Sequence, residues 1–477
     1  MQTDPLKFGT SGLRGLSELL CGRPAASYSN AFARVMTGQG RLAAGGTVLV
    51  GRDLRASSPD IARFCFAGLV EAGAVPVDCG ELPTPALAAR AMKLGIPAIM
   101  VTGSHIPEDR NGLKFYRPDG EIDKHDEAAI VVAERTAKLP EYVTPADAGS
   151  DHGVALDDYR ARATGMLGPD ALKGMRIGVY EQSSVMRDLL ADVLSAQGAK
   201  VVPFGRSDVF VPIDTEALSA ADAEICDAAV REHKLDAVVS TDGDADRPLM
   251  ADETGAFLRG DLLGAVTAVA VGADCVVTPI SSNSGIERCG RFAMIKRTRI
   301  GSPYVIEGMG IARADGASTM VGFEANGGVL LGSNAQLAGR PLAALPTRDA
   351  MLPILAVLWT ARSRGEPLSA LASEFSFAAA KAGRLQGVSA PKSGAFLAAI
   401  EADGSFRDAL LTGILDVRAL DTTDGVRLTG AEGSVLHFRA SGNAPELRCY
   451  VEAGSEDQAA QLLEQGLARS REHLAGD

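Results

Sequence analysis

The chain has 477 residues, more than a single hydrophobic core supports, so its length predicts three or four domains. Apolar residues make up 46% of the chain and charged residues 22%, which excludes a largely disordered protein and is typical of one that buries sizeable cores. The net charge of −13 argues against a nucleic-acid partner and against an anionic membrane surface, because both require a basic face, but it allows a small phosphorylated ligand held by local arginines.

The N-terminal segment and the cysteines indicate a cytoplasmic protein with reduced thiols. Residues 1–15 carry charges and glycines where a signal peptide needs an apolar core, and no stretch of about eighteen uninterrupted apolar residues follows. The cysteines show no C-x-x-C pair and no regular spacing, so we expect neither a disulfide framework nor a zinc site. They stand at positions 21, 65, 79, 226, 275, 289 and 449.

Short β-branched runs alternate with longer helical patterns over most of the chain. This alternation predicts βαβ units with mixed, largely parallel sheets, and it occurs in three rounds that begin near residues 47, 176 and 275. The predicted strands are 47–50, 98–101, 176–179, 237–239, 275–277 and 319–321, and the predicted helices include 61–72 and 185–196.

In each round a strand leads into a polar loop that contains glycine or serine. These loops are residues 102–105, 240–243 and 322–327. In open α/β sheets, ligands bind beyond the carboxyl ends of the strands. We therefore expect three related α/β domains that each contribute one loop to a shared central cleft.

The last hundred residues have a different pattern. Runs at 426–428, 435–438 and 447–451 predict antiparallel strands, and Ser455 with Gln458 predicts a capping box that opens a final helix. This pattern predicts a smaller C-terminal α+β domain. The four predicted domains are 1–150, 151–255, 256–366 and 367–477.

The segment 242–247 is a candidate metal loop. It places Asp242, Asp244 and Asp246 at alternate positions just after a strand, where three carboxylates can converge on a hard cation such as Mg²⁺. A calcium EF-hand is an alternative, because Glu253 falls at its twelfth position, but Arg247 stands where that loop needs a glycine. A solvated acidic turn is the other alternative.

Ser104 stands in a turn after a strand, with Gly103 before it, and is a candidate covalent nucleophile. His105 beside it is a candidate base. Both also have an ordinary interpretation, because serines are common in turns and loop histidines are often only hydrogen-bonded.

Two glycine-containing segments and one lysine are candidates for binding an anion. Residues 8–15 offer backbone N–H groups and the guanidinium of Arg14, and residues 439–445 offer a second guanidinium with hydroxyl and amide donors. Lys114 follows the serine loop and can bring an ammonium group to the cleft. Glycine-rich segments are as often simple turns, and most lysines are solvated.

Taken in order, five motifs resemble the α-D-phosphohexomutase family, which includes phosphomannomutases and phosphoglucomutases. The likeness spans nearly the whole chain and implies four domains around a central cleft, in an isomerase most like a bacterial phosphomannomutase. The motifs are FGTSGLRG at 8–15, TGSHIPEDRNGLKFY at 102–116, DGDADR at 242–247, GFEANGG at 322–328 and RASGNAPELR at 439–448.

The resemblance implies a reaction and a set of roles. Ser104 would donate a phosphoryl group between C1 and C6 of a hexose phosphate, and its oxygen would complete a Mg²⁺ site with the three aspartates. A hexose 1,6-bisphosphate would be the intermediate and activator, and we expect a monomer or a homodimer. The remaining implied residues are Arg247 to steady the phosphoserine, Lys114 and Arg14 for proton transfer, Glu324 and Asn326 for sugar hydroxyls, and Arg299, Arg439, Ser441, Gly442, Asn443 and Arg448 for the non-reacting phosphate.

Three positions depart from the family's pattern. Ile106 replaces an asparagine, Asn443 replaces a threonine, and Gly328 stands where some relatives have a histidine. A histidine-based proton relay therefore cannot be transferred to this chain, and Lys114 is the preferred base.

The sugar loop also suggests which substrate is used. The adjacent Gly327 and Gly328 predict open space, and if the loop binds the 3-OH and 4-OH of the sugar through Glu324, C2 is only weakly recognised. We therefore expect mannose and glucose 1-phosphates both to react, with mannose preferred because the FEANGG segment resembles that of bacterial phosphomannomutases. A phosphoglucomutase or a phosphoglucosamine mutase is the alternative within the family. A sugar-phosphate phosphatase with an aspartate nucleophile and a non-catalytic sugar-phosphate sensor are the alternatives outside it.

Overall fold

A computed structural model describes residues 6–441 and 445–475, so Gly442 and Asn443 of the predicted phosphate loop lie outside the described residues. The first unit is a mixed sheet of eight strands covered by helices. Its elements are β1 (Lys7–Phe8), β2 (Leu13–Leu16), α1 (Ser17–Leu20), α2 (Arg23–Gly38), β3 (Thr47–Arg52), α3 (Ser58–Glu71), β4 (Val75–Glu81), α4 (Thr84–Leu94), β5 (Ala98–Val101), β6 (Arg110–Arg117), β7 (Gly120–Glu121), α5 (Lys124–Glu134) and β8 (Gly149–Ser150).

The strand order of this sheet is β1-β2-β6-β5-β3-β4-β8, with β7 paired to β6. Strands β5, β3, β4 and β8 run parallel, whereas β6 is antiparallel to both β5 and β2. The parallel strands β3 and β5 carry buried apolar runs, at 48–50 and 98–101, because helices cover both faces of the sheet.

The second unit has a four-stranded sheet in the order β10-β9-β11-β12. Strand β9 is parallel to β10 and β11, and β12 is antiparallel to β11. Its elements are α6 (Val154–Met166), β9 (Arg176–Gln182), α7 (Arg187–Ala196), β10 (Lys200–Arg206), α8 (Ala220–His233), β11 (Ala237–Thr241) and β12 (Pro248–Ala251).

The third unit repeats this plan with a five-stranded sheet in the order β14-β13-β15-β16-β19, beside a separate hairpin of β17 and β18. Strand β13 is parallel to β14 and β15, and β16 is antiparallel to its neighbours. The elements are α9 (Gly260–Ala270), β13 (Cys275–Pro279), α10 (Gly285–Arg288), β14 (Met294–Thr298), α11 (Ser302–Ala314), β15 (Met320–Phe323), β16 (Val329–Leu331), β17 (Ala335–Leu337), β18 (Arg340–Leu342), β19 (Leu345–Asp349) and α12 (Met351–Arg364).

The C-terminal unit is an antiparallel five-stranded sheet in the order β20-β24-β23-β22-β21. Its final helix begins where Ser455 Oγ accepts a hydrogen bond from Gln458 N at 3.3 Å. The elements are α13 (Leu368–Glu374), β20 (Ala379–Gln386), α14 (Ala390–Ala402), α15 (Gly404–Leu411), β21 (Val417–Asp421), β22 (Val426–Gly430), β23 (Val435–Ala440), β24 (Glu446–Ala453) and α16 (Glu456–Ala475).

The same connection carries the polar loop in each of the first three units. A strand of the parallel set leads through the loop into an antiparallel neighbour, from β5 to β6, from β11 to β12 and from β15 to β16. The three loops therefore leave equivalent ends of their sheets, which positions them to meet in one cleft.

One large hydrophobic core extends through the first three units, whereas the C-terminal unit has a core of its own. Polar contacts are part of the junction between the third and C-terminal units. Asn283 Nδ2 donates to the Ala378 carbonyl at 2.9 Å, and Ser284 N donates to Glu452 Oε2 at 3.1 Å.

The predicted fold class is confirmed, with three α/β units and a smaller α+β unit. The predicted strands lie within observed strands, except that β15 begins one residue later, at Met320. Helix α3 begins three residues earlier than predicted because Pro59 is tolerated in its first turn. The domain boundaries at 150, 255 and 366 stay predictions. All seven cysteines are free thiols, and across the described residues no helix combines the length and apolar character needed to span a membrane.

Candidate active site

Ser104 lies on the loop between β5 and β6, with a positive φ of 54°. Residues other than glycine rarely adopt this conformation, so the surroundings must hold the loop. Asp53, which follows β3, fastens its first half by accepting hydrogen bonds from Thr102 Oγ1 at 2.7 Å and from Gly103 N at 3.3 Å.

Arg55 fastens the second half of the serine loop. Its buried side chain lies 3.3 Å from Asp53 Oδ2 and stacks 3.8 Å from the ring centroid of Phe210 in the second unit. A Cβ atom on Gly103 would stand 2.6 Å from Arg55 Cζ, so this contact requires glycine. The guanidinium donates to the carbonyl oxygens of Ser104 (3.1 Å), Ile106 (2.5 Å), Pro107 (2.7 Å) and Arg110 (3.0 Å).

The three aspartates of the candidate metal loop are buried and converge. One carboxylate oxygen from each of Asp242, Asp244 and Asp246 lies within 4.8 Å of the others. Asp244 Oδ1 and Asp246 Oδ1 are buried with no hydrogen-bond partner. Unpaired buried carboxylate oxygens are costly unless they coordinate a cation, so this donor set fits Mg²⁺.

Both alternatives to a catalytic metal loop are wrong for this segment. The loop joins strands β11 and β12 instead of two helices, and Glu253 Oε2 accepts from Ser369 N at 3.4 Å, away from the aspartates, so it is not an EF-hand. All three aspartates are fully buried, so the segment is not a solvated acidic turn.

The serine loop and the metal loop are in direct contact. Ser104 Oγ donates to Asp242 Oδ2 at 2.5 Å and lies 3.3 Å from His105 Nδ1. Burial, together with Arg247 and Arg14, lowers the pKa of His105 far below its ordinary value. His105 is therefore a neutral imidazole at physiological pH, which can accept a hydrogen bond from Ser104 but cannot provide a positive charge.

Lys114, on β6, lies against the same loop. Its Nζ donates to Asp244 Oδ2 and to Asp246 Oδ2, each at 2.5 Å. Thr84, the first residue of α4, also donates to Asp244, from Oγ1 to Oδ2 at 2.5 Å and from the backbone N–H to the carbonyl at 2.9 Å. The Oδ2 atoms of Asp244 and Asp246 are thus occupied by protein donors, and their unpaired Oδ1 atoms remain for a cation.

The charges in this cluster set the pKa values of its members. Burial and the neighbouring Asp244 and Asp246 raise the pKa of Asp242 well above its usual value. Although burial opposes ionisation, Arg348, Lys114 and Arg247 hold the pKa of Asp246 well below its usual value. Burial, together with Arg247 and Arg348, lowers the pKa of Arg14 to about 10, so its guanidinium stays charged at neutral pH and lies near these groups.

The sugar loop is closely packed, so the predicted open space beside its glycines is wrong. A Cβ atom on Gly327 would stand 2.9 Å from Pro248 Cγ, and one on Gly328 would stand 2.8 Å from Arg348 Cδ. Glu324 and Asn326 are both buried, and Asn326 Oδ1 accepts from Gly328 N at 3.0 Å.

Arg348 was missed by the sequence reasoning. It is buried on β19, and its guanidinium lies between Asp246 of the metal loop and Glu324 of the sugar loop. No motif marked it, because it stands in a short strand about twenty residues after the sugar loop.

The predicted phosphate-binding residues form a second group. Arg439 Nε donates to Asp424 Oδ2 at 2.9 Å, and the same oxygen accepts from Ile300 N at 2.9 Å, which places the segment after Arg299 beside β23. Ser441 N donates to the Glu446 carbonyl at 2.9 Å. A cavity lined by residues that include Ile300, Ala325 of the sugar loop and Arg448 lies between the third and C-terminal units.

Three α/β units that each contribute a hairpin loop to one cleft, closed by an antiparallel C-terminal unit, define the multi-domain phosphohexomutase class. Family profiles match the chain over residues 5–139 (phosphoglucomutase/phosphomannomutase, alpha/beta/alpha domain I), 252–376 (domain III) and 390–468 (C-terminal domain). The chain belongs to the phosphoglucomutase/phosphomannomutase family and is an isomerase of the phosphohexomutase type.

Individual relatives agree with this assignment. The chain is 51% identical to a phosphomannomutase of Sinorhizobium fredii strain NGR234 over 97% of its own length and 98% of the relative's. It is 42% identical to a phosphomannomutase of Salmonella muenchen, and the match covers 98% of this chain and 96% of the relative. The solved structure of a phosphoglucomutase/phosphomannomutase family protein of Burkholderia thailandensis has the same fold, with a TM-score of 0.76 and 19% identity. The match covers 98% of this chain and 97% of that one.

Proposed function

We propose that this chain is a phosphomannomutase that interconverts mannose 1-phosphate and mannose 6-phosphate through a phosphorylated Ser104. The observation that carries the proposal is the 2.5 Å contact between Ser104 Oγ and Asp242, inside a buried carboxylate cluster with two unpaired oxygens. A hydroxyl at such a cluster is placed to carry a phosphoryl group beside a metal ion.

Asp242, Asp244 and Asp246 would hold Mg²⁺ together with an oxygen on Ser104. When bound, the ion neutralises charge on the transferring phosphoryl group. The protein places its own cations around this position. Arg247 Nε is 3.7 Å from Asp246 Oδ1, and we propose that this guanidinium steadies the phosphoserine.

The sugar hydroxyl that attacks the phosphoserine must lose a proton. We propose that Lys114 accepts that proton as a neutral amine. Its two N–H groups can then keep their contacts with Asp244 and Asp246 while the nitrogen lone pair takes the proton, and Arg14 gives electrostatic support. His105 is neutral and touches Ser104 Oγ, so its role is to orient the serine.

The remaining groups would bind the rest of the substrate. A carboxylate such as Glu324 can accept hydrogen bonds from two neighbouring sugar hydroxyls. Arg299, Arg439, Ser441 and Arg448, with Gly442 and Asn443, would hold the phosphate that is not reacting. The hexose 1,6-bisphosphate formed by the first transfer turns around in the cleft and returns its other phosphoryl group to Ser104, which also makes it an activator of unphosphorylated enzyme.

The preference for mannose rests on the relatives, since the space expected beside Gly327 and Gly328 is filled. If Glu324 binds the 3-OH and 4-OH, inversion at C4, as in galactose, removes one of the bound hydroxyls. Inversion at C2, by which mannose and glucose differ, leaves both in place. We expect mannose and glucose 1-phosphates to react, and galactose 1-phosphate to have a kcat/KM lower by about 10²-fold or more.

The test combines mass spectrometry with a coupled mutase assay. Purified protein should carry a phosphoryl group of about 80 Da on Ser104, and Ser104→Ala should abolish both this mass and the turnover of mannose 1-phosphate. A trapped phosphoaspartate would identify a phosphatase instead, and a fully active Ser104→Ala variant would refute the mechanism. A clear preference for glucosamine 1-phosphate would make the chain a phosphoglucosamine mutase.

A further inference from the structure

The guanidinium of Arg348 connects loops from three units. Its Nη2 forms an ion pair with Asp246 Oδ2 at 2.9 Å and donates to Ser11 Oγ at 2.9 Å, and its Nη1 donates to Glu324 Oε2 at 3.5 Å. The side chain is only 3% exposed. One planar group thus contacts the N-terminal loop, the metal loop and the sugar loop.

A buried carboxylate of the first unit holds the strand segment that carries Arg348. Glu121, the last residue of β7, accepts from Thr347 Oγ1 at 2.9 Å and from Ser302 Oγ at 2.7 Å, and it lies 3.9 Å from Arg348 Nε. These contacts fasten the end of β19 to the first unit. The position from which the arginine reaches the cleft is therefore determined by two units together.

The sugar loop leaves room for the stem of this side chain. Gly328 has no positive φ, so its backbone would accept another residue, but a Cβ there would stand 2.8 Å from Arg348 Cδ and 2.9 Å from Cγ. The glycine at 328 is therefore required by the arginine, and the two positions act as a pair.

We propose that Arg348 is a positioning residue that fixes the sugar-contacting carboxylate of Glu324 relative to Asp246 of the metal loop. The proposal rests on the proposed function, in which these two carboxylates serve the sugar and the phosphoryl group. Because one rigid guanidinium contacts both carboxylates, Glu324 and Asp246 cannot shift independently of each other. The sugar is therefore presented at a fixed distance from the phosphorylated serine.

The shape of the guanidinium matters as well as its charge. Lys114 already supplies an N–H donor to Asp246 Oδ2, at 2.5 Å. What Arg348 adds is a second, separate donor directed at Glu324, which a lysine ammonium could not provide at the same time. Arg348→Lys should therefore have the same effect as losing the simultaneous contact with Asp246 and Glu324.

The experiment compares Arg348→Met, Arg348→Lys and Gly328→Ala with the wild type, using kcat/KM for mannose and galactose 1-phosphates. We expect Arg348→Met to lower kcat/KM for mannose 1-phosphate by about 10²-fold, since displacement of a positioning group by about 1 Å has this effect. The ratio of the mannose to the galactose value should fall toward one, because a freed Glu324 no longer recognises C4. Arg348→Lys should not restore the ratio, and Gly328→Ala should lower it by displacing the arginine without removing its charge.

Arg313→Met is the matched control. Arg313 lies in the same unit, where its Nη2 donates to the Gly332 carbonyl at 2.6 Å, and its loss should leave the ratio unchanged. A wild-type ratio in Arg348→Met, or its full recovery in Arg348→Lys, would overturn the proposal. If Arg348→Met does not fold, Gly328→Ala decides. A lowered ratio of the mannose to the galactose kcat/KM supports the proposal, and a wild-type ratio overturns it. Absence of phosphoserine from the wild type would instead refute the proposed function.

Discussion

Replacing Arg55 with methionine tests whether the serine loop depends on one buried guanidinium. The change removes four hydrogen bonds to loop carbonyls and leaves Asp53, which is also fully buried, without its cation. Breaking a buried ion pair by removing one partner costs about 3–5 kcal/mol. We expect Arg55→Met to lose stability of this order.

The activity should fall by more than this loss of stability explains. With its carbonyl anchors gone, Ser104 can leave its strained conformation, and a shift of about 1 Å lowers turnover by about 10²-fold. We expect kcat to fall far more than KM changes, and phosphoserine content, measured by intact mass, to fall with it.

Arg52→Met provides the control for Arg55→Met. Arg52 ends β3 three residues earlier and donates to Asp78 Oδ1 at 2.9 Å, away from the loop. Wild-type kcat and phosphoserine content in folded Arg55→Met, or equal losses in both variants, would refute the reasoning.

Three further outcomes are expected. Asp244→Asn should lower turnover by orders of magnitude while the chain still folds, and it should weaken Mg²⁺ binding measured by calorimetry; full activity in EDTA would contradict this. Lys114→Met should lower kcat more than it raises KM, whereas an effect on KM alone would assign Lys114 to binding. Burial lowers the pKa of His437 to about 4, from 6.5, so the unfolded chain takes up this proton first and acid favours unfolding. Stability of about 3 kcal/mol should be lost between pH 6.5 and 4 in urea titrations, and His437→Gln should lose less over that range.

The sequence predicts most of the fold because buried parallel strands are continuous apolar runs. The strands at 98–101 and 275–277 are of this kind, and each is fully buried. The convergence of the loops follows from the rule that ligands bind at the carboxyl ends of strands. Applied to the strand at 47–50, the same rule would also have identified Asp53 and Arg55, which follow that strand directly.

Other parts of the site depend on contacts between units. Arg348 contacts Asp246 only because β19 pairs with β16 beside the sugar loop, and Thr84 reaches Asp244 across 160 positions of sequence. The space predicted at Gly328 was wrong for the same reason, because a glycine leaves a gap only if no other side chain fills it.

The contacts of Thr84 with Asp244 make the acidic cluster a product of assembly. The cluster belongs to the second unit, yet the carbonyl and the side chain of Asp244 are both held by the first helix turn of α4 in the first unit. A cation that binds the cluster therefore stabilises the docked pair of units over the separated ones, by mass action. The Thr84 amide, which is protected only while the units stay docked, would report their separation by hydrogen exchange, and cation binding should slow that exchange.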